Sequence, residues 1–366
     1  MINPNKKHKI ALVGYRLSDG GSDKVMANLS IFFENNGIDV HIITVIDQVS
    51  YLYKGKILNL GLLKNKSNGF FNKLKRFRVL NQYIKEQHFD FVIDFRFRSK
   101  IIQELIIARI LYPKNTIFTV HSFLIDHYMP NNSWVTRLMY NTCYANVVIT
   151  KQIEQIVEEK HQLQNIKLIY NPVNIEEITA KSIEKIEIDF KYIIAIGQYE
   201  NPIKQFHKLI ESYANSDLPK ENIHLVILGN GELELLNSVS RRNNVQDKVH
   251  LLGYQVNPYK YLKNALYLVL SSLNEGLPNV ILEALATGIP VVSFDCESGP
   301  KEIIQDKKNG ILVENQNFNK LTEALNLMYS DLELYAICKN NAKDSIQKFS
   351  LENIGNQWLE LMKIKK

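Results

Sequence analysis

The sequence predicts an α/β protein made of two doubly wound domains. Three observations carry that expectation. Short β-branched runs alternate with amphipathic segments along the chain, the rhythm breaks between about residues 172 and 190 and then restarts, and 366 residues exceed what one hydrophobic core usually organises.

In the first half the strand candidates are KIALVGY (9–15), DVHIITV (39–45), FDFVIDF (89–95), NTIFTVHS (115–122) and ANVVIT (145–150). Strands that alternate with helical patterns imply a parallel sheet. The second half repeats the pattern with KYIIAIG (191–197), IHLVILG (223–229), KVHLLGY (248–254), ALYLVLSS (265–272), IPVVSF (289–294) and GILVE (310–314). Between the halves, residues 171–190 are polar, opened by a proline and weakly patterned, which places the boundary there. The expected division is residues 1–175, then 176–348, then a C-terminal segment 349–366. That last segment reads as an amphipathic helix with Ser350 as its cap. Open α/β sheets bind ligands at the carboxyl ends of their strands, so the site is expected in loops that follow strands, in the crevice two such domains leave.

Composition excludes several classes. At 45% hydrophobic and 22% charged residues the chain is globular, and its longest apolar stretches, 101–112 and 280–294, are far shorter than the ~18 uninterrupted residues of a membrane span. The N-terminus runs from a short basic lead directly into a strand, without a signal-peptide pattern, so a cytoplasmic location is expected. Cys143, Cys296 and Cys338 are odd in number and widely spaced, which fits reduced, buried thiols. Charge is uneven: residues 1–180 carry 23 lysines and arginines against 15 acids, whereas residues 181–366 carry 21 against 23. The two halves are expected to face different partners.

The stretch NEGLPNVILEALATGIPVVS (274–293) holds the densest chemistry. Glu275 follows a strand, Gly276, Leu277, Pro278 and Asn279 turn the chain into an apolar helix, and Gly288 closes it. A helix N-terminus preceded by glycine suits an anion, because backbone N–H groups are free there and the dipole is positive. Glu283, about two turns beyond Glu275, can accept hydrogen bonds from vicinal hydroxyls. Two carboxylates around an anion-binding turn suit a sugar joined to a nucleotide by a pyrophosphate. On spacing alone, Glu275 as a cap and Glu283 as a solvated helix position fit equally well.

With that filling, E-x7-E resembles the signature of the retaining glycosyltransferases of family 4, which have the GT-B fold: two Rossmann-like domains facing a central cleft. Other segments extend the resemblance over nearly the whole chain. LSDGGSDKVMANL (17–29) looks like the family's Gly-Gly turn, VHSF (120–123) its histidine loop, NPV (171–173) its interdomain run and LGNGELELL (228–236) its second glycine loop. The resemblance implies that Glu275 contacts donor-sugar hydroxyls and supports oxocarbenium charge. It implies also that amides of Gly276 to Asn279 hold sugar and phosphate oxygens, and that Glu283 binds the ribose. In IGQYENPIKQF (196–206), Lys204 matches the family's pyrophosphate lysine. Six residues earlier the family usually has arginine; here stands Gln198, which keeps a hydrogen-bond donor but loses the ionic clamp. Arg16 and Lys301 are the candidates to compensate.

His121 ends a strand and, by the same resemblance, faces the donor sugar, where an imidazole can bond a hydroxyl or handle protons near neutral pH. Without the resemblance a core histidine is the better reading. Gly20 and Gly21 would let the first loop approach donor phosphates or acceptor, or simply form a βα turn.

The acceptor side is sought in GFFNKLKRFRVLNQYIKEQ (69–87), where Phe70, Phe71, Leu74, Phe77, Leu80 and Ile84 alternate with Lys73, Lys75, Arg76 and Arg78. It reads either as a basic amphipathic helix on an anionic membrane surface, at about 1 kcal/mol per cation, or as an ordinary domain helix with a solvated basic face. The positive first half favours the former. FRFRSK (95–100) would then be a loop offering Arg96 and Arg98 to acceptor phosphates.

Two other classes compete. Asp295-x-Glu297 could pass for the metal-binding pair of a metal-dependent GT-A transferase, which would be a single-domain enzyme; a basic nucleic-acid-binding protein would be non-enzymatic, but no nucleic-acid motif is present. The reading adopted is a metal-independent enzyme, with no cofactor. It moves a hexose or N-acetylhexosamine from a nucleotide sugar, expected to be UDP-linked, to a glycan or lipid-linked acceptor in cell-surface polysaccharide, lipopolysaccharide or capsule synthesis. Nucleic acid is not an expected partner.

Overall fold

The computed structural model describes residues 7–65, 69–200 and 202–365. Two compact units emerge: residues 1–172 with 351–366, and residues 173–350. In the first, seven parallel strands, β1 (Lys9–Gly14), β2 (Asp39–Thr44), β3 (Lys56–Asn59), β4 (Phe91–Asp94), β5 (Thr116–Val120), β6 (Ala145–Val148) and β7 (Ile166–Leu168), lie in the order 3-2-1-4-5-6-7. The second has six, β8 (Tyr192–Ile196), β9 (His224–Leu228), β10 (Val249–Leu251), β11 (Leu268–Leu270), β12 (Val291–Phe294) and β13 (Gly310–Val313), in the order 10-9-8-11-12-13. Helices connect the strands, so central strands are covered on both faces and read as unbroken apolar runs; Ile10 to Val13 are at most 1% exposed.

Every strand expected from the sequence is present. Two were missed, β3 (KILN) and β7 (IKL), both short and both at sheet edges, where little burial is needed to keep them in place. The polar stretch expected to be a boundary is partly a helix, Ile175–Ser182, capped by the Asn174 side chain, which accepts from the Glu177 amide, and it belongs to the second unit.

Strand order reverses between β1 and β4 in one sheet and between β8 and β11 in the other. At such a reversal the helices on either side leave to opposite faces, and the loops at the carboxyl edge part to leave a crevice.

The C-terminal helix, Leu351–Leu361, packs on the helix Gly21–Asn35 in the first unit. Ile354, Trp358 and Leu359 join the core of Phe32, Phe33 and Ile10. Gly355 lets the two helices close: a β-carbon there would stand 2.5 Å from the Phe32 ring. Gly355→Val should therefore cost about 1–3 kcal/mol by overpacking, read as a lowered thermal-unfolding midpoint.

Candidate functional site

The reversal between β8 and β11 carries the chemistry of the second unit. After β8 the chain passes exposed Gln198 and Glu200 and then returns to the end of β11. There Ser271 Oγ donates to the Lys204 carbonyl at 2.8 Å, and the Leu273 amide donates to the Ile203 carbonyl at 2.8 Å. These bonds fix the lysine's root beside the start of the Glu275 turn, and Lys204 Nζ lies 2.6 Å from Glu275 Oε1. Both side chains are mostly shielded, at 17% and 15% exposure, so the pair is stronger than a surface ion pair.

The turn itself is held from the other side. The Glu275 amide donates to the Glu297 carbonyl at 3.1 Å, Asn274 bridges to Glu297, and Ser298 Oγ donates to the Gly276 carbonyl at 3.2 Å. Gly299, at φ +97°, makes this contact possible, since a β-carbon there would stand 2.4 Å from the Gly276 oxygen. Leu277 and Pro278 are buried, and the helix Asn279–Thr287 starts with no side-chain cap and ends at left-handed Gly288. Its first-turn amides and positive dipole end therefore lie beside the Lys204–Glu275 pair. Along this helix Glu283 is half-buried and accepts from Tyr259 Oη at 3.5 Å.

Of the residues expected from sequence, the second unit brings together Lys204, Glu275, Gly276, Leu277, Pro278 and Asn279, with Glu283 on the same helix. The stretch SGPKEII (298–304), which by resemblance follows the fifth strand of this domain and could face a ligand, is indeed bonded to the turn, a support the sequence did not show; nothing marked Tyr259.

In the first unit His121 follows β5. Both ring nitrogens are out of solvent contact, and the ring lies 5.5 Å from that of Phe95. Burial, then the Arg98 guanidinium, lower its pKa to about 3, with the Asn171 amide opposing. The imidazole is consequently neutral near pH 7, with one N–H and one basic nitrogen with which to bond a hydroxyl. Gly20 and Gly21 open the helix Gly21–Asn35 after β1. Beside them Asp23, raised to about 6 by burial, binds Arg16 Nε at 3.3 Å, and Arg16 also meets Asp19 at 3.9 Å. Arg16 is thus paired with its neighbours in the first unit.

Arg96 and Arg98 do not form an acceptor loop. They are 4% and 1% exposed. Arg96 binds Asp94 through two nitrogens, at 3.0 and 2.7 Å, and Glu104 at 3.0 Å. Arg98 donates to the carbonyls of Tyr128 (3.0 Å), Thr119 (2.9 Å) and Arg96 (3.1 Å), over the rings of Phe118, Tyr128 and Tyr140. The reason is the carboxylate of Asp94: buried at the end of β4, it needs a cation within the fold, and Phe97 faces outward instead.

The helix expected at 69–87 spans Phe70–Gln87. Leu80 and Ile84 are buried, while Phe71 is 84% exposed; the Phe70 side chain lies outside the described residues. Lys73, Lys75 and Arg78 are exposed, but Arg76 turns back to donate to the Val45 carbonyl at 2.7 Å. Arg76 therefore anchors the helix rather than facing a surface. Among the described residues no helix is long and apolar enough to cross a membrane. Arg96→Met should destabilise the protein by about 3–5 kcal/mol, because it leaves the Asp94 and Glu104 carboxylates buried without their cation; chemical unfolding measures it.

Comparison with known proteins follows the same two-part layout. Residues 19–177 match the family described as Glycosyltransferase Family 4, and residues 176–345 match Glycosyl transferases group 1. The chain is 30% identical to the N-acetylgalactosamine-N,N'-diacetylbacillosaminyl-diphospho-undecaprenol 4-alpha-N-acetylgalactosaminyltransferase of Campylobacter jejuni, over 97% of this chain and 99% of that one. It is 27% identical to the lipopolysaccharide 1,6-galactosyltransferase of Salmonella typhimurium, over 83% and 85%. Among solved structures, Anabaena Alr3699/HepE in complex with UDP-glucose superposes with a TM-score of 0.75 at 17% identity, over 97% and 99%; this likeness concerns the fold, which is GT-B. Two parallel sheets, one in each unit, are not the single-domain GT-A layout in which Asp295 and Glu297 would form the acidic pair. The chain belongs to the glycosyltransferases, with a family 4 domain followed by a group 1 domain.

Proposed function

We propose that the protein transfers a hexose or N-acetylhexosamine from a nucleotide sugar, UDP-linked, to a glycan or lipid-linked acceptor of cell-surface polysaccharide, lipopolysaccharide or capsule, with retention of anomeric configuration. The observation that carries the proposal is the 2.6 Å contact of Lys204 with Glu275 at the mouth of the Asn279–Thr287 helix. A sugar nucleotide asks for that juxtaposition: a cation and the positive end of a helix for the diphosphate, and a carboxylate within reach of the sugar.

In this reading the sugar–phosphate bond breaks as negative charge gathers on the departing diphosphate. Lys204 and the helix amides are already in place to receive it, so little reorganisation is needed at the moment of reaction. Glu275 bonds the sugar hydroxyls and opposes the developing positive charge on the ring, and Glu283, held by Tyr259, accepts from the ribose. His121 contributes a neutral imidazole to a donor hydroxyl. Because protein groups supply the positive charge, no divalent metal and no cofactor are required. Retention rests on the family resemblance of the E-x7-E segment. The acceptor class is supported by the names of the relatives, one acting on an undecaprenol-diphosphate-linked sugar and one on lipopolysaccharide, and the UDP donor by the ligand of the Anabaena structure.

In this reading the enzyme works in the cytoplasm, on the inner face of the membrane, with the exposed Lys73, Lys75 and Arg78 available to anionic lipid. Nucleic acid is not a partner in this reading.

Thermal-shift measurements with UDP, GDP, ADP and their sugar conjugates, all in chelator, test the donor site. One nucleotide family should stabilise the wild type and fail to stabilise Lys204→Ala, and turnover of Glu275→Gln and Lys204→Ala should fall by about 10²–10³. Near-normal turnover in either variant would sink the assignment of roles. Flotation with anionic vesicles should lose most binding when Lys73, Lys75 and Arg78 become Gln, with Arg76 kept; unchanged flotation removes the membrane contact.

A further inference from the structure

The diphosphate of a sugar nucleotide brings two negative charges. Against them the β8–β11 crevice sets Lys204, whose charge is already matched by Glu275 at 2.6 Å. Gln198 is neutral, and Glu200, exposed in the same loop, adds a negative charge beside it while accepting the Glu232 amide at 2.9 Å. Taken together, Lys204, Glu275 and Glu200 carry one net negative charge beside the ligand they are proposed to hold. Helix amides offset part of this, yet a further fixed positive charge is wanted near the helix mouth.

Arg16 belongs to the first unit, where Asp23 and Asp19 already pair with it. Lys301 belongs to the unit that holds the turn. It is exposed, and among the described residues it makes no ion pair. It stands on the short helix Pro300–Ile303 after β12, and the entry to that helix is fastened to the Glu275 turn at several points. These are the Glu275 amide on Glu297, Ser298 Oγ on Gly276, and Gly299 packed against Gly276 and Pro278. The fastening holds the root of Lys301 in register with the turn.

Sheet order completes the geometry. Strands β8, β11 and β12 are neighbours, with β11 in the middle. Lys204 follows β8, the anion-binding turn and helix follow β11, and Lys301 follows β12. The strands that lead to the two lysines therefore stand two strand spacings apart, about 10 Å, on opposite sides of β11.

We propose that Lys301 is a diphosphate-binding residue of this enzyme, supplying from the β12 side the positive charge that Gln198 does not supply from the β8 side. The proposal rests on the donor site described above and adds a residue to it. It makes Lys301 and position 198 alternatives: a cation at either place completes the clamp.

Isothermal titration in chelator with UDP, GDP and ADP identifies the diphosphate bound by the wild type, and the same nucleotide is then given to the variants. Lys301→Gln should bind it at least tenfold more weakly, and should lose much less affinity for the matching monophosphate. Lys301→Arg should stay within threefold of the wild type. Gln198→Arg combined with Lys301→Gln should recover the lost affinity, a rescue that a merely structural role for Lys301 would not show. Binding by Lys301→Gln within twofold of the wild type overturns the proposal, as does an equal loss for mono- and diphosphate, or absence of rescue. A wild type that binds only when magnesium is added assigns the missing charge to a metal ion and also overturns it. A wild type that binds none of the three diphosphates, with or without magnesium, overturns the donor site itself, and Lys301 with it.

Discussion

The reversal of strand order between β8 and β11 is the constraint on which the candidate site depends. In a parallel sheet every strand delivers its following loop to the same edge, and only where the order reverses do neighbouring loops diverge enough to admit a ligand. Lys204 and Glu275 are 71 residues apart in the chain, yet they stand on the two sides of that reversal and meet at 2.6 Å. Hydrogen bonds from Ser271 and Leu273 to the Lys204 segment, and from Glu275 to Glu297, turn adjacency of strands into adjacency of side chains. Preorganisation of this kind is what an electrostatic catalyst needs, because groups that are already oriented pay no reorganisation as charge moves.

The first unit treats charge in the opposite way. Its cations are numerous in sequence, but several are consumed internally: Arg96 by Asp94 and Glu104, Arg98 by backbone carbonyls and three aromatic rings, Arg16 by Asp23, Arg76 by the Val45 carbonyl. A count of lysines and arginines therefore overstates the positive surface this half presents. Burial acts on His121 as well. With its ring nitrogens shielded and the Arg98 guanidinium nearby, the charged form is disfavoured, so the imidazole stays neutral over the whole range in which a solvated histidine would titrate.

In the proposed donor site, glutamine stands at position 198. A guanidinium there would have formed a paired, directional contact with phosphate oxygens, whereas an amide offers only a neutral donor. Charge balance then falls on groups reached through other strands. The Glu297–Gly299 segment matters for this reason: it couples the loop after β12 to the turn after β11, making the positions of Glu275 and Lys301 interdependent although neither touches the other's backbone directly.

By itself the sequence determined the class of fold, the parallel character of the sheets and the identity of the turn that opens the Asn279–Thr287 helix. These are local properties: period, β-branching, and glycine or proline at fixed offsets decide them within a few residues. It left β3 and β7 unseen because short edge strands carry too little apolar signal, and it could not read the helix Ile175–Ser182 in a polar stretch that is ordered by packing on neighbouring helices. Tertiary structure alone decided which charges face inward. The pattern of FRFRSK does not tell whether Arg96 and Arg98 or Phe97 points to solvent, and only the buried carboxylate of Asp94, with Glu104 ten residues further along, turned the guanidinium of Arg96 into the core. The pairing of Lys204 with Glu275, the grip of Tyr259 on Glu283 and the neutrality of His121 belong to the same kind, since each depends on groups brought together from strands and helices distant in the chain, where desolvation and proximity rather than residue type set the chemistry.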